Sequence, residues 1–457
     1  MSGTRPTRIV ILGAGFAGTT LVRRLAGKLP EGCELVLVSD ESYTTFNPLL
    51  PEAVGASIFP EHAIVPVREM IHPGADRQFI MGSVADLDLP NREVICRSLA
   101  GEIALHFDHL VLAVGNRARL DLLPGMDEYA LPLKTVGDAM HIRNTVLRCL
   151  ARIELESDPK VRKELGHFIV LGGGFSGTEV AGELVDCLRA IQRYYPKVQP
   201  EELRVTVLQN IERLLPELSP ELGQAALISL RERGVNVRLG ASASLVTSLG
   251  VQLSGGEYIP GRTVIGTIGT AANPLLARLG LECQGGRVVV NADLSLPGHS
   301  GLWAMGDCAA VPNALDNTIC PATAQFAVKQ AAHLAQTLVA SLHGQPTRPF
   351  SYRSRGMMAS IGHLKGVADI NGIQLTGWVA WLVWRGYYLA LMPSFGRRLR
   401  IFFEWAWGML FPPDITHLRF KRSHELRTDE ARRQREHEAF VHLEGLDPKH
   451  MRVHPVD

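Results

Sequence analysis

The sequence predicts an α/β protein built on two strand–helix–strand (βαβ) units of similar design, followed by a C-terminal region of different character. Three observations predict it. A short apolar run near the start passes directly into Gly13-Ala14-Gly15-Phe16-Ala17-Gly18. A second such run passes into Gly172-Gly173-Gly174-Phe175-Ser176-Gly177. Five of the six tryptophans then fall between Trp378 and Trp407.

A chain of 457 residues exceeds one ordinary core, so two or three domains are expected. With 46% apolar and 20% charged residues it is globular, neither disordered nor collagen-like. A formal net charge of +1 provides no whole-molecule field for nucleic acid. The seven cysteines are scattered, with no CxxC or CxxxxC pair. That suits reduced thiols in a cytosolic setting and argues against a redox-active dithiol. The apolar run from Ile9 is broken by Gly13 and Gly15, which makes it a strand and turn rather than a secretory leader. No stretch of 18 apolar residues occurs, so no bilayer-spanning helix is expected.

In chain order, residues 9–12 read as a buried strand, 16–29 as a helix and 34–39 as a second strand. The pattern returns as strand 168–171, helix 175–194 and strand 204–208, a duplicated domain rather than a short-period repeat. Strand-like runs at 108–114 and 263–268 each lead to a glycine, Gly115 and Gly269. Residues 287–290 and 302–305 add strands, and 321–342 a helix. Beyond about residue 345 the character changes, and the densely charged stretch 421–438 reads as a solvated helix or tail.

The two glycine motifs carry the first chemistry. In GxGxxG between a strand and a helix, the glycines permit a tight turn, close backbone approach to a pyrophosphate and close helix–strand packing, while the helix N-terminus offers free N–H groups to the anion. Two such motifs in one chain suggest two dinucleotides, one held and one exchanged. Gly306-Asp307, in "GLWAMGDCA", has two readings: a carboxylate at a strand end accepting hydrogen bonds from a polyol, or a helix N-cap.

The first glycine motif, "FDHLVLAVGN" (107–116), "FIVLGGGFSGTEVAGEL" (168–184) and "GLWAMGDCAAVP" (301–312) occur in that order. The set resembles the two-dinucleotide-binding-domain flavoproteins, similar in plan to pyridine nucleotide–disulfide oxidoreductases. The resemblance implies two Rossmann-like domains, one nested in the other. An FAD-binding domain would occupy 1–120 and 285–345, with an NAD(P)H-binding domain at 121–284 between its parts. Carried onto this sequence, Gly13, Gly15, Phe16, Ala17, Gly18, Ala113, Gly115, Gly306 and Asp307 would bind FAD, with Asp307 on the ribityl chain. Gly172, Gly174, Phe175, Ser176, Gly177 and Gly269 would bind the nicotinamide nucleotide. At the end of the first unit's second strand the FAD ribose acceptor is open between Ser39 and the following Asp40 and Glu41. In the central unit the matching position is Gln209. Either it bonds the NADH ribose, or, being neutral, it leaves room for a 2′-phosphate with Arg213 four residues on. NADH is the favoured donor, with NADPH permitted.

Four further segments resemble type II NADH dehydrogenases, the single-chain NADH:quinone oxidoreductases: "SYTTFNPLLPEAVG" (42–55), "ATAQFAVKQ" (322–330), "GMMASIGHLKGVADI" (356–370) and residues 375–411. This implies hydride transfer from NADH to FAD, then two-electron reduction of a membrane quinone without proton pumping. Pro48 and Leu49 would lie beside FAD, and Ala324 and Gln325 would border FAD and quinone. Glu179 would sit at the nicotinamide–flavin junction, Gln325 and Gln330 would bond quinone or flavin oxygens, and Lys365 would assist quinone protonation. No metal is implied, and His363 reads as structural.

Residues 346–457 are expected to form a membrane-docking region and charged tail. Within 377–411, two short amphipathic helices are broken around Pro393-Ser394-Phe395-Gly396. Leu399, Phe402, Phe403, Ala406, Met409 and Leu410 share one apolar face of the second, with Arg397, Arg400 and Glu404 opposite. Seven basic residues between Gly377 and Arg422 (Arg385, Arg397, Arg398, Arg400, Arg419, Lys421, Arg422) against Glu404 and Asp414 suit an anionic membrane surface. The alternative is a dimer interface or a third core. The expected setting is a peripheral homodimer on the cytoplasmic side of the cell (inner) membrane. Competing readings are a sulfide:quinone oxidoreductase, for which Cys149 and Cys320 lack a supporting motif, a soluble reductase, and a non-catalytic redox sensor.

Overall fold

The computed structural model describes residues 5–71, 74 and 76–418. One compact unit runs to Ile415; of a second, beginning at Thr416, only residues 416–418 are described, in no helix or strand. The charged stretch 421–438 lies outside the described residues.

The first βαβ unit is the strand Thr7–Leu12, the helix Phe16–Leu25 and the strand Cys33–Ser39. The strands pair in parallel, Ile9 opposite Leu35 and Leu12 opposite Val38. These are central strands of a seven-stranded sheet, in the order Leu302–Ala304, His109–Leu112, Thr7–Leu12, Cys33–Ser39, Arg77–Asp88, Glu93–Ser98, Gly101–His106. Burial on both faces requires near-continuous apolar runs, which Ile9-Val10-Ile11-Leu12 and Leu110-Val111-Leu112 supply. Trp303 pairs with Val111, so a segment nearly two hundred positions later closes the sheet's edge.

A five-stranded parallel sheet holds the second unit: Ala130–Pro132, Thr263–Gly266, His167–Leu171, Arg204–Leu208, Asn236–Arg238. Its helix is Phe175–Ile191, extended by a 3-10 turn Gln192–Tyr194, which together match the predicted 175–194. The helix predicted over 16–29 stops at Leu25, because Gly27 takes a left-handed φ of +72°. The helix predicted from 321 starts at Ala324, where the Thr323 hydroxyl accepts from the Phe326 N–H and leaves Pro321 outside.

His167 opens the central strand of the second sheet while buried. Its Nδ1–H donates to the Pro260 carbonyl at 2.6 Å and its Nε2 accepts from the Thr206 hydroxyl at 2.7 Å. Burial holds it neutral, with its pKa pushed from 6.5 down to about 4. The stability this neutral ring contributes is complete above 6.5 and is lost as pH falls toward about 4. Melting temperature should therefore decline across that window, and His167→Gln should flatten the decline; parallel curves for the two proteins would refute the assignment.

After the second sheet rejoins the first, a three-stranded antiparallel sheet (Gly356–Ser360, Gly366–Ile370, Ile373–Thr376) leads into helices Gly377–Leu391 and Phe395–Gly408. Among the described residues no helix is long and apolar enough to cross a membrane. The two terminal helices sort their tryptophans. Trp381, Trp384 and Trp405 are buried, whereas Trp378 and Trp407 are 63% and 62% exposed. The predicted apolar face of the second helix points outward, Phe403 at 64% and Leu410 at 78% exposure. The helix packs through Ile401 and Trp405, and of the predicted polar side Glu404 accepts from the Phe59 N–H and pairs with His62, Arg397 donates to the Glu61 carbonyl at 2.7 Å, and Arg400 is exposed. Arg385, counted above with the surface charge, is instead turned inward onto Glu52 at 3.2 Å.

Candidate functional site

The first glycine turn is shaped by two close approaches. Gly13 has φ +103°, and a Cβ there would lie 2.4 Å from the Ala113 carbonyl oxygen; a Cβ on Gly18 would lie 1.9 Å from the Gly13 carbonyl oxygen. These glycines let helix and strands touch. Gly15 differs, since a Cβ there meets no protein atom within 4 Å. Its open side faces a cleft of about 370 Å³ at the helix N-terminus. The second turn repeats the design. A Cβ on Gly177 would lie 1.9 Å from the Gly172 carbonyl oxygen, while one on Gly174 would meet only the Glu217 carboxylate, at 4.0 Å.

Both units reach the same cleft. Gly15, Phe16 and Ala17 line it from the first helix, Ser176 and Glu179 from the second, and Ala113 and Gly115 from the strand end between them. Gly269, Gly306, Asp307 and Ala324 complete the predicted residues found in its wall. In the 42–55 segment the wall is made by Asn47, Leu50 and Pro51, while Leu49 is buried in the core and Pro48 lies beside the lining.

Asp307 makes no capping bond in its 3-10 turn Gly306–Cys308, and among the described residues its carboxylate has no hydrogen-bond partner. The N-cap reading therefore fails, and an acceptor in the cleft wall is left available. Burial raises its pKa, opposed by Lys134 and Arg287. Lys134 also lines the cleft, bonded to Asn116, and burial lowers its pKa against the pull of Asp307. Sequence reading missed Lys134: it belongs to no motif, and only the fold carries it to Asp307. An open backbone cradle, an unpartnered carboxylate and a lysine fit a pyrophosphate-linked polyol such as FAD.

Glu179 is buried, accepts from the Ser360 N–H at 3.1 Å, and is pushed well above the usual carboxylate range by burial and by Glu183 and Glu52 nearby. Other predicted residues lie elsewhere. Gln330 is buried and accepts from the Gly306 N–H at 2.7 Å, so it holds the Gly306-Asp307 turn. Gln325 accepts from the Ser354 hydroxyl at 2.9 Å and is not among the residues lining the cleft. Lys365 is exposed on a turn away from the cleft lining. Gln209 is buried with both ends used, accepting from the Gly173 N–H at 3.0 Å and donating to the Arg213 carbonyl at 3.2 Å, while the Arg213 guanidinium donates to the Pro216 carbonyl. Ser39 is half-buried at its strand end, with Asp40 and Glu41 exposed. Phe175 is half-buried at the start of the second helix. All seven cysteines are free; Cys149 and Cys320 are buried, and burial pushes both thiols up, away from the reactive thiolate.

Two parallel-sheet units whose glycine turns open onto one cleft define a pyridine nucleotide-dependent flavoprotein architecture. The chain belongs to the pyridine nucleotide-disulphide oxidoreductase family, whose model matches residues 7–331. Residues 354–413 match the NDH2 C-terminal domain. Among curated relatives, it is 27% identical over 415 residues to the type II NADH:quinone oxidoreductase Ndh of Mycobacterium tuberculosis, covering 88% of each chain. It is 31% identical over 414 residues to the demethylphylloquinone reductase NdbB of Synechocystis, covering 89% of this chain and 96% of that one. The fold superposes on NDH2 of Plasmodium falciparum, solved with NADH, at a TM-score of 0.84 and 19% identity, covering 90% of this chain and 100% of that chain.

Proposed function

We propose that the protein is a FAD-dependent type II NADH:quinone oxidoreductase. The observation that carries this reading is the single cleft into which both glycine turns open, with residues of the two nucleotide units facing each other across it. When bound, FAD supplies the two-electron chemistry, accepting hydride from NADH and reducing quinone. The chain's own residues bind, orient and exclude water. Gly15 and Gly115 leave backbone open to the FAD diphosphate, Asp307 accepts from ribityl hydroxyls, and Lys134 adds positive charge. Gly174 and the N-terminus of Phe175–Ile191 receive the NADH diphosphate, and Glu179 faces the junction of the two cofactors. Gln209 keeps the second turn in shape through Gly173, and NADH rather than NADPH is the donor.

The exposed face of Phe402, Phe403 and Leu410 docks on the membrane that carries the quinone. We place the protein as a peripheral homodimer on the cytoplasmic side of the cell (inner) membrane, with transfer uncoupled from proton pumping. The domain division we propose is FAD-binding 1–120 and 285–345, NADH-binding 121–284, and docking from 346.

Steady-state oxidation of NADH by the FAD-loaded protein tests this, with short-chain benzoquinone and naphthoquinone acceptors and parallel NADPH and sulfide arms. Fast NADH-dependent quinone reduction is expected. Flavin that stays oxidised under excess NADH overturns the reading, and bleaching by sulfide would replace it with sulfide oxidation.

A further inference from the structure

One loop borders the seat that the second glycine turn offers a dinucleotide. It runs from the end of the strand Arg204–Leu208 to Ser219, which caps the helix Pro220–Glu232. The loop is drawn tightly across the turn. The Leu215 N–H donates to the Gly173 carbonyl at 2.8 Å, and a Cβ on Gly173 would lie 2.5 Å from the Leu214 side chain. Further along, Glu217 reaches Gly174, and its carboxylate oxygen is what a Cβ there would meet, at 4.0 Å.

In a unit of this plan the diphosphate lies over the second glycine of the motif. The adenosine ribose lies between it and the end of the second strand, where a carboxylate ordinarily accepts from the ribose hydroxyls. Here the strand end carries Gln209, which is neutral and already bonded at both ends. The loop has two acids. The Glu212 carboxylate rests against Gly240. Glu217 is exposed beside the turn and has no hydrogen-bond or ion-pair partner among the described residues.

Cations near this seat come from a different part of the chain. The Arg213 guanidinium is spent on the Pro216 carbonyl. Glu217, however, also lines a depression of about 470 Å³ whose wall includes Arg353 and Arg355. Both arginines are exposed, and neither makes a hydrogen bond or an ion pair among the described residues. The remaining charged group in that wall, Asp369, accepts from the Gly372 N–H at 3.0 Å. Two unpaired guanidiniums beside a dinucleotide turn suit a phosphate monoester, the group that distinguishes NADPH from NADH.

Resting on the function proposed above, we propose that Glu217 is the residue that selects NADH. Its carboxylate accepts from the adenosine ribose hydroxyls, and its charge repels the 2′-phosphate that Arg353 and Arg355 would otherwise hold. The carboxylate absent from the strand end is thus supplied by a loop that folding brings to the turn. Glu217 acts on nucleotide binding and not on the chemistry, because Ser176 and Glu179 line the cleft between the two units and Glu217 does not.

The test uses the full-length, FAD-loaded protein as wild type, Glu217→Gln, Glu217→Asp, and Glu217→Gln combined with Arg353→Ala and Arg355→Ala. kcat and KM are measured for NADH and for NADPH with a short-chain benzoquinone as acceptor. Glu217→Gln should raise the KM for NADH roughly tenfold and lower that for NADPH roughly tenfold, with kcat unchanged for both. Glu217→Asp, which keeps the charge on a shorter stem, should still exclude NADPH while losing part of the affinity for NADH. The combined variant should lose the gain in NADPH and keep the loss in NADH. Melting temperatures should match wild type, since the side chain is exposed and unpartnered. Calorimetry with ADP-ribose and with 2′,5′-ADP reads the same preference without turnover. An NADH-to-NADPH ratio and a calorimetric preference that are both unchanged in Glu217→Gln overturn the proposal, as does a gain in NADPH that survives removal of both arginines. Wild type that binds ADP-ribose, and shifts toward 2′,5′-ADP in Glu217→Gln, but whose flavin is not bleached by NADH overturns the parent function and leaves the selection by Glu217 standing.

Discussion

Gly15→Val should leave the apoprotein folded and abolish flavin retention, while Gly174→Val should keep flavin and abolish its bleaching by NADH. Both residues sit in extended backbone, φ −75° and −74°, which valine adopts without strain. A Cβ added at either position would meet no protein atom closer than 4.0 Å. The methyl groups would instead fill the space through which helix N-terminal N–H groups reach a diphosphate. Each such charge-assisted hydrogen bond contributes about 1.5–3 kcal/mol, so losing two removes binding at micromolar concentrations. Flavin absorbance of the purified protein, NADH bleaching and an apoprotein melt read the outcome together. Gly18→Ala is the contrast: its Cβ would lie 1.9 Å from the Gly13 carbonyl oxygen, so this variant should lose the fold itself. Flavin bound normally by Gly15→Val would show that the cleft at the first turn is not its seat.

Phe402→Glu combined with Phe403→Glu should release the protein from anionic vesicles while short-chain quinone reduction continues. The two rings are 52% and 64% exposed. Burying a large side chain in a membrane interface contributes about 1.5–3 kcal/mol, so the pair accounts for about 3–6 kcal/mol, or roughly a hundred- to ten-thousandfold in partitioning. Vesicle co-sedimentation measures this, and salt should weaken what remains, because Arg398 and Arg400 lie on the same helix. Trp384→Ala supplies the opposite case. That ring is 1% exposed and packs on Trp405 with centroids 6.4 Å apart, so its loss should cost about 3–5 kcal/mol of folding stability. Undiminished sedimentation of the double glutamate variant would exclude this face as the docking surface.

The C-terminal helices show where reading a sequence stops. Their limits on either side of Pro393 were legible, because periodicity and a helix breaker are local properties. Which face turns inward was not. An apolar stripe ordinarily faces a core, but here the packed side is Ile401 and Trp405 flanked by Arg397 and Glu404, which bond to Glu61, His62 and the Phe59 N–H, and the predicted stripe is left outside. The tryptophans were likewise one group by composition and two by position.

At the cleft the same division holds. The glycine turns and the strands feeding them were readable because close approach and left-handed backbone admit few other residues, and neighbours in sequence are enough to specify them. Asp307 was recognisable but not decidable, since an acid after a strand suits a cap or a ligand equally; its carboxylate, with no partner among the described residues, settles against the cap. By itself the sequence determined two parallel βαβ units, their glycine turns and the two terminal helices. Tertiary structure alone decided that Lys134 meets Asp307, that Gln209 and Gln330 brace the turns, and that Glu52 and Glu183 share Arg385. Those contacts join residues tens to hundreds of positions apart, and a buried charge takes its meaning from its partner, which no local pattern encodes.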